Sequence, residues 1–343
     1  MAMAHEGVRA PTLEVVAARA GVSRATASRV LTGSPRVSPS AQEAVTRAAE
    51  ELHYLPNRAA RTLVTRRTDS VAFMVSESGE RLFGDPYFGI LLRGAQAEVS
   101  ARGRQLVLTF AATDTERQQV EQFASGHHVD GLLFISLHGA DPLPARLESI
   151  GIPVVLSGRP IVDDPAVHYV DANNRGGAKA ATDLLHELGR RRIATIAGPR
   201  DMVAGLDRLA GYRDGLRRAK IAYDKSLVAV APSFSRQGGA AAMEQLLESA
   251  PDLDAVFAAS DAMAIGALGV LRRSGRRVPE DVSVVGFDDI PDAVMAEPPL
   301  TTVRQPIVEL GRRMAKMLLD RLDGLPVEKF DIVETSLIRR ESA

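Results

Sequence analysis

The sequence contains no cysteine. That removes disulfide frameworks, thiolate zinc sites, iron–sulfur clusters and cysteine nucleophiles together, and it fits a reducing compartment. No stretch of 18 apolar residues occurs, and unbroken apolar runs such as Leu227–Ala231 are strand-sized. Met1–Pro11 has no apolar segment of the kind a secretory signal needs. These absences point to a cytoplasmic protein with no membrane partner. Also missing are G-x-G-x-x-G, the P-loop, G-x-S-x-G and H-E-x-x-H, so the common nucleotide, hydrolase and metalloprotease signatures are not available. No cofactor and no metal is expected. His127 and His128 are adjacent, which on a helix would point them about 100° apart, a poor metal pair.

An excess of charge of either sign is lacking too, with 42 Lys+Arg against 43 Asp+Glu. The distribution, however, is uneven. Residues 1–70 hold ten Arg, no Lys and six acidic residues, net +4, while the remaining 273 hold 32 bases and 37 acids, net −5. A small basic head on a mildly acidic body suggests one part that meets an anion. At roughly 150 residues per domain, 343 residues suit two domains and a small appendage.

After a tail over 1–11, the head reads as short helices. Leu13, Val16, Ala17 and Ala20 recur at spacings of three and four and mark one buried face. Gly21 stops that helix, and Ser23 caps a second one through Arg24–Leu31. Thr32–Gly33–Ser34–Pro35 ends it. Ser38 before Pro39 opens a third helix to about Leu52, with Val45, Ala48, Ala49 and Leu52 inward. Pro56 closes the unit over 12–56. Asn57–Thr65 has the pattern of one more short helix, and the polar Arg66–Asp69 reads as a linker, giving a hinge region over 57–68.

Beyond residue 69 the pattern changes to strand–helix alternation with nearly continuous apolar strands, from Val71–Val75 through Val282–Phe287. Such strands belong to parallel sheets covered on both faces. Two series imply two doubly wound lobes, with a cleft between them as the natural ligand site.

The head has the chemistry of a nucleic-acid reader. A recognition helix needs donors at its N-terminal end and small hydroxyls near the phosphates. Arg24 supplies a planar fork matching guanine O6 and N7, and Ala25 is small enough to admit the duplex and touch a thymine methyl. Ser23, Thr26 and Ser28 are phosphate-length donors, and Arg29 is a second base or backbone contact. Charge alone is equally consistent with an ordinary helical subdomain whose arginines are solvated.

The stretches TLEVVAARAGVSRATASRVLTG and VSPSAQEAVTRAAEELHYLPNRAARTL closely resemble the DNA-binding head of the LacI/GalR family of bacterial transcriptional regulators. GIPVVLSGRP, RLAGYRDGL, AASDAMAIGAL, EDVSVVGFDDI and PPLTTVRQP resemble that family's effector domain, so the likeness runs from residue 12 onward. It implies a small all-α helix-turn-helix head followed by two α/β lobes like those of periplasmic binding proteins. The expected first lobe spans about 69–167 and 303–328, and the second about 168–302 and 329–343.

By this resemblance Arg24 and Ala25 read bases with help from Arg29, while Thr12, Ser23, Thr26, Ser28 and Ser38 contact phosphates. Asn57, Ala60, Arg61 and Leu63 fall in the hinge helix, Leu63 matching the residue wedged into the minor groove. Independently of any family, nine residues are too few for a stable lone helix, since about 12–15 are marginal. In the cleft, Asp85, Tyr87 and Phe88 match a pocket-lining motif, Arg208 a ligand-gripping arginine, and Phe234 a stacking aromatic. Ser260 and Asp261 fall at a strand end, Asp288 matches an acid that holds ligand hydroxyls, and Arg159 lies on a strand-end loop. Ser76–Gly84 departs from the usual form by extra residues before the pocket motif.

A carboxylate, an Arg fork and aromatic faces suit a polyol. Plainer roles stay open: Arg208 and Asp288 as a structural ion pair, Asp261 as a helix cap, Tyr87 or Phe88 as lobe core. The expectation is a homodimeric regulator, most simply a repressor, that reads near-palindromic double-stranded operator DNA under control of a sugar effector. The last residues, Ile338–Ala343, carry no heptad extension, which favours dimers over tetramers. A nucleobase, nucleoside or protein corepressor as effector, and a sugar-binding or sugar-processing α/β protein, are the rival readings.

Overall fold

The computed structural model describes residues 11–31, 36–54 and 67–343. It divides into two compact units, Met1–Thr68 and Asp69–Ala343. The hinge expected over Asn57–Thr65, with Asn57, Ala60, Arg61 and Leu63, lies outside the described residues.

In the head, α1 (Leu13–Arg19), α2 (Arg24–Leu31) and α3 (Pro39–Glu51) pack around Val16, Ala17, Ala27, Val45, Ala48 and Ala49. Gly21 takes φ +66° between the first two helices, a turn that costs glycine nothing. Ser23 accepts the Thr26 N–H at 3.1 Å and Ser38 the Ala41 N–H at 3.3 Å, so both residues expected as caps are caps.

The second unit contains two six-stranded sheets. The first has the order β11-β5-β4-β3-β1-β2, formed by β1 (Ser70–Val75), β2 (Gln105–Phe110), β3 (Gly131–Ile135), β4 (Val154–Ser157), β5 (His168–Ala172) and β11 (Phe330–Val333). All its pairings are parallel. The second has the order β12-β10-β9-β8-β6-β7, formed by β6 (Ile193–Ala197), β7 (Val228–Val230), β8 (Ala255–Ala258), β9 (Ser283–Asp288), β10 (Thr301–Arg304) and β12 (Ser336–Ile338). Here only β12 runs antiparallel. Every residue of β1, β3 and β9 is buried, as unalternating apolar strands require when helices cover both faces.

The sheet membership corrects the lobe boundaries. β5 pairs with β4 and β11 in the first sheet, although the expected division puts 168–172 in the second lobe. β10 and β11 likewise lie in the second and first sheets, opposite to the expected division at 303 and 329. The chain therefore crosses between lobes after 172, after 304 and after 333, each time at a strand's C-terminal end.

Two helices seat the pocket wall of the first lobe. The helix α4 (Gly79–Gly84) leads into α5 (Pro86–Ala101), which packs on the helix α13 (Ile307–Leu322) near the chain's end. Their backbones approach so closely that a Cβ on Gly311 would sit 2.1 Å from the Leu91 carbonyl oxygen, and one on Gly94 2.0 Å from that of Val308. Among the described residues, no helix is long and apolar enough to cross a membrane.

Candidate functional site

The head presents its candidate base readers Arg24 and Ala25 at the N-terminal end of α2. Arg24 and Ala25 open α2 and are exposed, as are Ser23 and Arg29. Thr12 and Ser38 are also exposed, while Thr26 and Ser28 are half-buried. The Arg24 guanidinium lies 2.8 Å from Glu14 on α1, an exposed ion pair that salt screens.

In the second unit, strand ends from both sheets converge on a cleft that encloses about 90 Å3. This is the crevice beyond the carboxyl ends of parallel strands, where doubly wound folds bind ligands. Asp288 ends β9 with φ +115°, and Ser136 follows β3 with φ +60°. Both line the cleft, and non-glycine residues in such conformations are strained and gather at functional sites.

Arg208 is the centre of the second lobe's wall. It stands on α9 (Val203–Arg218) and is only 5% exposed. Its Nε donates to Asn174 Oδ1 at 2.8 Å and its Nη1 to the Ala259 carbonyl at 2.6 Å, with Asp288 Oδ1 3.2 Å from Nη1. The guanidinium lies 3.9 Å from the Phe287 ring centroid and 5.4 Å from that of Phe234. Gln305 Nε2 donates to Asp288. Burial nevertheless raises the Asp288 carboxyl to about 6, against the pull of Arg208.

The first lobe contributes Asp85, which caps α5 by accepting the Tyr87 N–H at 3.0 Å. Burial raises its carboxyl too, and it does the same to Asp171 at the end of β5. Burial and the nearby Asp288 charge push the Tyr87 phenol up to about 12, so it is a neutral donor at any ordinary pH. Phe88, 2% exposed, meets Tyr87 edge-on at 5.6 Å and packs in the lobe's core. Of the two aromatics, Tyr87 is the half-exposed one. Beyond these, Arg81 on α4 lies 3.1 Å from Glu77 and donates across the cleft to the Phe234 carbonyl at 2.8 Å.

Six of the nine cleft candidates therefore come together: Asp85, Tyr87, Phe88, Arg208, Phe234 and Asp288. Three do not line the cavity. Arg159 is exposed and pairs with Asp207 at 2.6 Å. Ser260 is the N-cap of α11 (Asp261–Arg273). Asp261 is wholly buried and accepts from the Ile290 N–H and the Thr302 hydroxyl, so it ties the segment after β9 to β10. The Arg208–Asp288 pair is real, but both residues belong to the second lobe, and the pair lines the cleft rather than spanning it.

Sequence reasoning did not single out Arg81, Asp171, Asn174 or Gln305, all of which line the cavity. A signal was present for three of them: Asp171, Asn174 and Gln305 sit at or just beyond the ends of β5 and β10. Arg81 had none, since it falls in the stretch that departs from the family pattern. Among the described residues, no group of three or more His, Cys, Asp or Glu is placed to hold a metal ion.

Comparison with known proteins agrees with this architecture. Residues 12–57 match bacterial regulatory proteins of the lacI family, and residues 182–343 match the periplasmic binding protein-like domain. The chain is 54% identical over 336 residues to the HTH-type transcriptional regulator CelR of Thermobifida fusca, covering 97% of this chain and 98% of that one. It is 34% identical over 322 residues to the HTH-type transcriptional repressor CytR of Escherichia coli K12, covering 92% and 91%. A solved CelR–cellobiose complex superposes with a TM-score of 0.78 at 51% identity, over 97% of this chain and 100% of the other. A lac repressor dimer bound to operator and the anti-inducer ONPF superposes at 0.84 and 26% identity, over 97% and 99%. Identity of this degree along nearly the full length of both chains, with head and body each matched, establishes that the chain belongs to the LacI family, DNA-binding transcriptional regulators and not enzymes.

Proposed function

We propose that this regulator is a homodimeric repressor whose affinity for a near-palindromic operator is set by an uncharged sugar held between its lobes. The observation that carries the effector assignment is the cleft's composition. Three carboxylates, Asp85, Asp171 and Asp288, face two guanidinium groups, Arg81 and Arg208, with Phe234 beside them. Carboxylates accept hydroxyl protons, guanidinium forks donate to hydroxyl oxygens, and an aromatic face covers the apolar side of a pyranose. An anionic ligand would meet a surplus of negative groups. The solved complex of a 51%-identical CelR with cellobiose supports a sugar, and the lac repressor dimer on its operator supports the symmetric mode of DNA binding.

In this reading Arg24 and Ala25 read bases in the major groove, Arg29 assists, and Thr12, Ser23, Thr26, Ser28 and Ser38 hold phosphates. The sugar acts through the segment 57–68. Coupling of this kind is reciprocal, so operator DNA changes sugar affinity by the factor that sugar changes operator affinity. The test selects an operator from random duplexes with the full-length protein, then titrates it by fluorescence anisotropy with cellobiose, glucose, glucose 6-phosphate and a nucleoside. A shift of tenfold or more with a neutral sugar is expected. A response confined to the nucleoside or the phosphorylated sugar would refute the assignment.

A further inference from the structure

The cleft contains two guanidinium–carboxylate couples, and each lobe brings its own. In the second lobe, Arg208 lies 3.2 Å from Asp288 and packs against the Phe234 ring. In the first, Arg81 lies 3.7 Å from Asp85 and 5.7 Å from the centroid of the Phe88 ring. Phe234 stands between them, with one guanidinium against its ring and the other hydrogen-bonded to its carbonyl oxygen. The Arg81 side chain is 15% exposed, and its Nε is buried without a hydrogen-bond acceptor although Glu77 Oε1 is 3.1 Å away.

One such couple beside one aromatic face meets the needs of a single pyranose ring. Two couples on either side of Phe234 offer the same chemistry twice, from opposite lobes. We propose that Arg81 and Asp85 form a second hydroxyl-binding subsite, so that the effector is a two-ring glycoside with one ring held by each lobe, and that Arg81 separates it from a monosaccharide. This rests on the sugar reading above and deepens it. A ligand spanning both couples ties the lobes together directly, whereas a single ring engages one couple at a time.

Calorimetric titration of the full-length protein with cellobiose and with glucose tests the subsite. The wild type is expected to bind cellobiose at least tenfold more tightly than glucose. In Arg81→Gln and Arg81→Ala, cellobiose affinity falls tenfold or more while glucose affinity stays within about twofold, so the preference collapses. Asp85→Asn, which keeps the cap on α5, gives the same collapse and serves should the Arg81 variants melt early. Equal weakening of both sugars would mean that Arg81 only braces the lobes, and an unchanged preference would mean that it does not meet the second ring; either overturns the subsite. A wild type that binds no neutral sugar overturns the sugar reading itself, while one that binds both sugars equally overturns the subsite alone.

Discussion

Replacing Asp288 with Asn probes the electrostatics of the cleft without changing its shape. Burial raises the Asp288 carboxyl from its ordinary 3.8 to about 6 despite the adjacent Arg208. The unfolded chain ionises near 3.8, so between the two values the folded state holds a proton that the unfolded state has released. The cost of ionising the buried group is absent below about pH 4, grows as pH rises, and is complete above about 6. At about 1.36 kcal/mol per pH unit it reaches about 3 kcal/mol. The stability difference between wild type and Asp288→Asn therefore changes with pH through the buried carboxylates. Asp261 feels the same charge, and the proton count belongs to the pair. Urea unfolding followed by circular dichroism at pH 4.5 and pH 8 measures it. With about a third of the cost already present at pH 4.5, Asp288→Asn should gain about 2 kcal/mol on the wild type between the two pH values. A difference that stays flat, or moves the other way, would refute a buried carboxyl held near 6.

Arg24→Ala should cost about 1–3 kcal/mol of operator affinity and relax preference at one base pair per half-site, read by competition among operator variants; equal weakening on all DNA would deny it a base-reading role. Gly311→Ala drives a methyl into the Leu91 carbonyl at 2.1 Å, so helices α5 and α13 must separate, and a loss of about 1–3 kcal/mol in thermal or urea unfolding is expected. His138 binds Glu77 in its own lobe at 3.3 Å and Asp201 of the other lobe at 2.8 Å. The bond to Glu77, with Asp201 adding and burial opposing, raises its pKa above 6.5. Its contribution is therefore fully present below pH 6.5 and is lost as pH rises through the higher folded value. The melting-temperature deficit of His138→Asn should be larger at pH 6 than at pH 9, and the reverse order would contradict the arrangement.

How far the sequence could be read depends on how strong each local signal is. The head is legible because Gly21, Ser23, Ser38 and Pro39 mark helix limits by chemistry that acts within a few residues. The buried strands are legible because β1, β3 and β9 carry nearly unbroken apolar runs, such as Val71–Val75 in β1. The expected strand series stops at Phe287, and the chain beyond that residue is weaker in pattern. β11 and β12 have four and three residues with exposed positions, and strands that short carry almost no periodicity. Their sheet membership is a long-range fact: Phe330 pairs with Tyr169, and Leu337 with Val303, and no local pattern encodes partners so far away. The same limit explains Asp261. A polar residue after a strand reads alike whether it faces a ligand or neighbouring segments of the chain, and only the positions of Ile290 and Thr302 decide.

The three crossings between lobes bear directly on how a ligand acts. Asp171 and Asn174 bracket the first, with Asn174 Nδ2 donating to Asp171 Oδ1 at 3.0 Å. Gln305 lies just past the second and donates to Asp288. Asn174 also holds Arg208. Asp171, Asn174 and Gln305 thus line the cavity at two of the three places where the chain passes from one sheet to the other. Any ligand that draws Arg208 or Asp288 toward its hydroxyls pulls on the backbone where the lobes are joined, rather than on a wall remote from it. Rotation about those crossings requires no repacking of either sheet, because every strand pairing lies wholly within one lobe. The cost of moving one lobe against the other therefore falls on the contacts between them: Ile290 against the first lobe's core, and the polar contacts Arg81 to Phe234, His138 to Asp201 and Arg159 to Asp207. Partly exposed contacts of this kind contribute about 1 kcal/mol each. A ligand resets them to the extent that it binds one arrangement of the lobes more tightly than the other, and a preference of about 150-fold is worth about 3 kcal/mol.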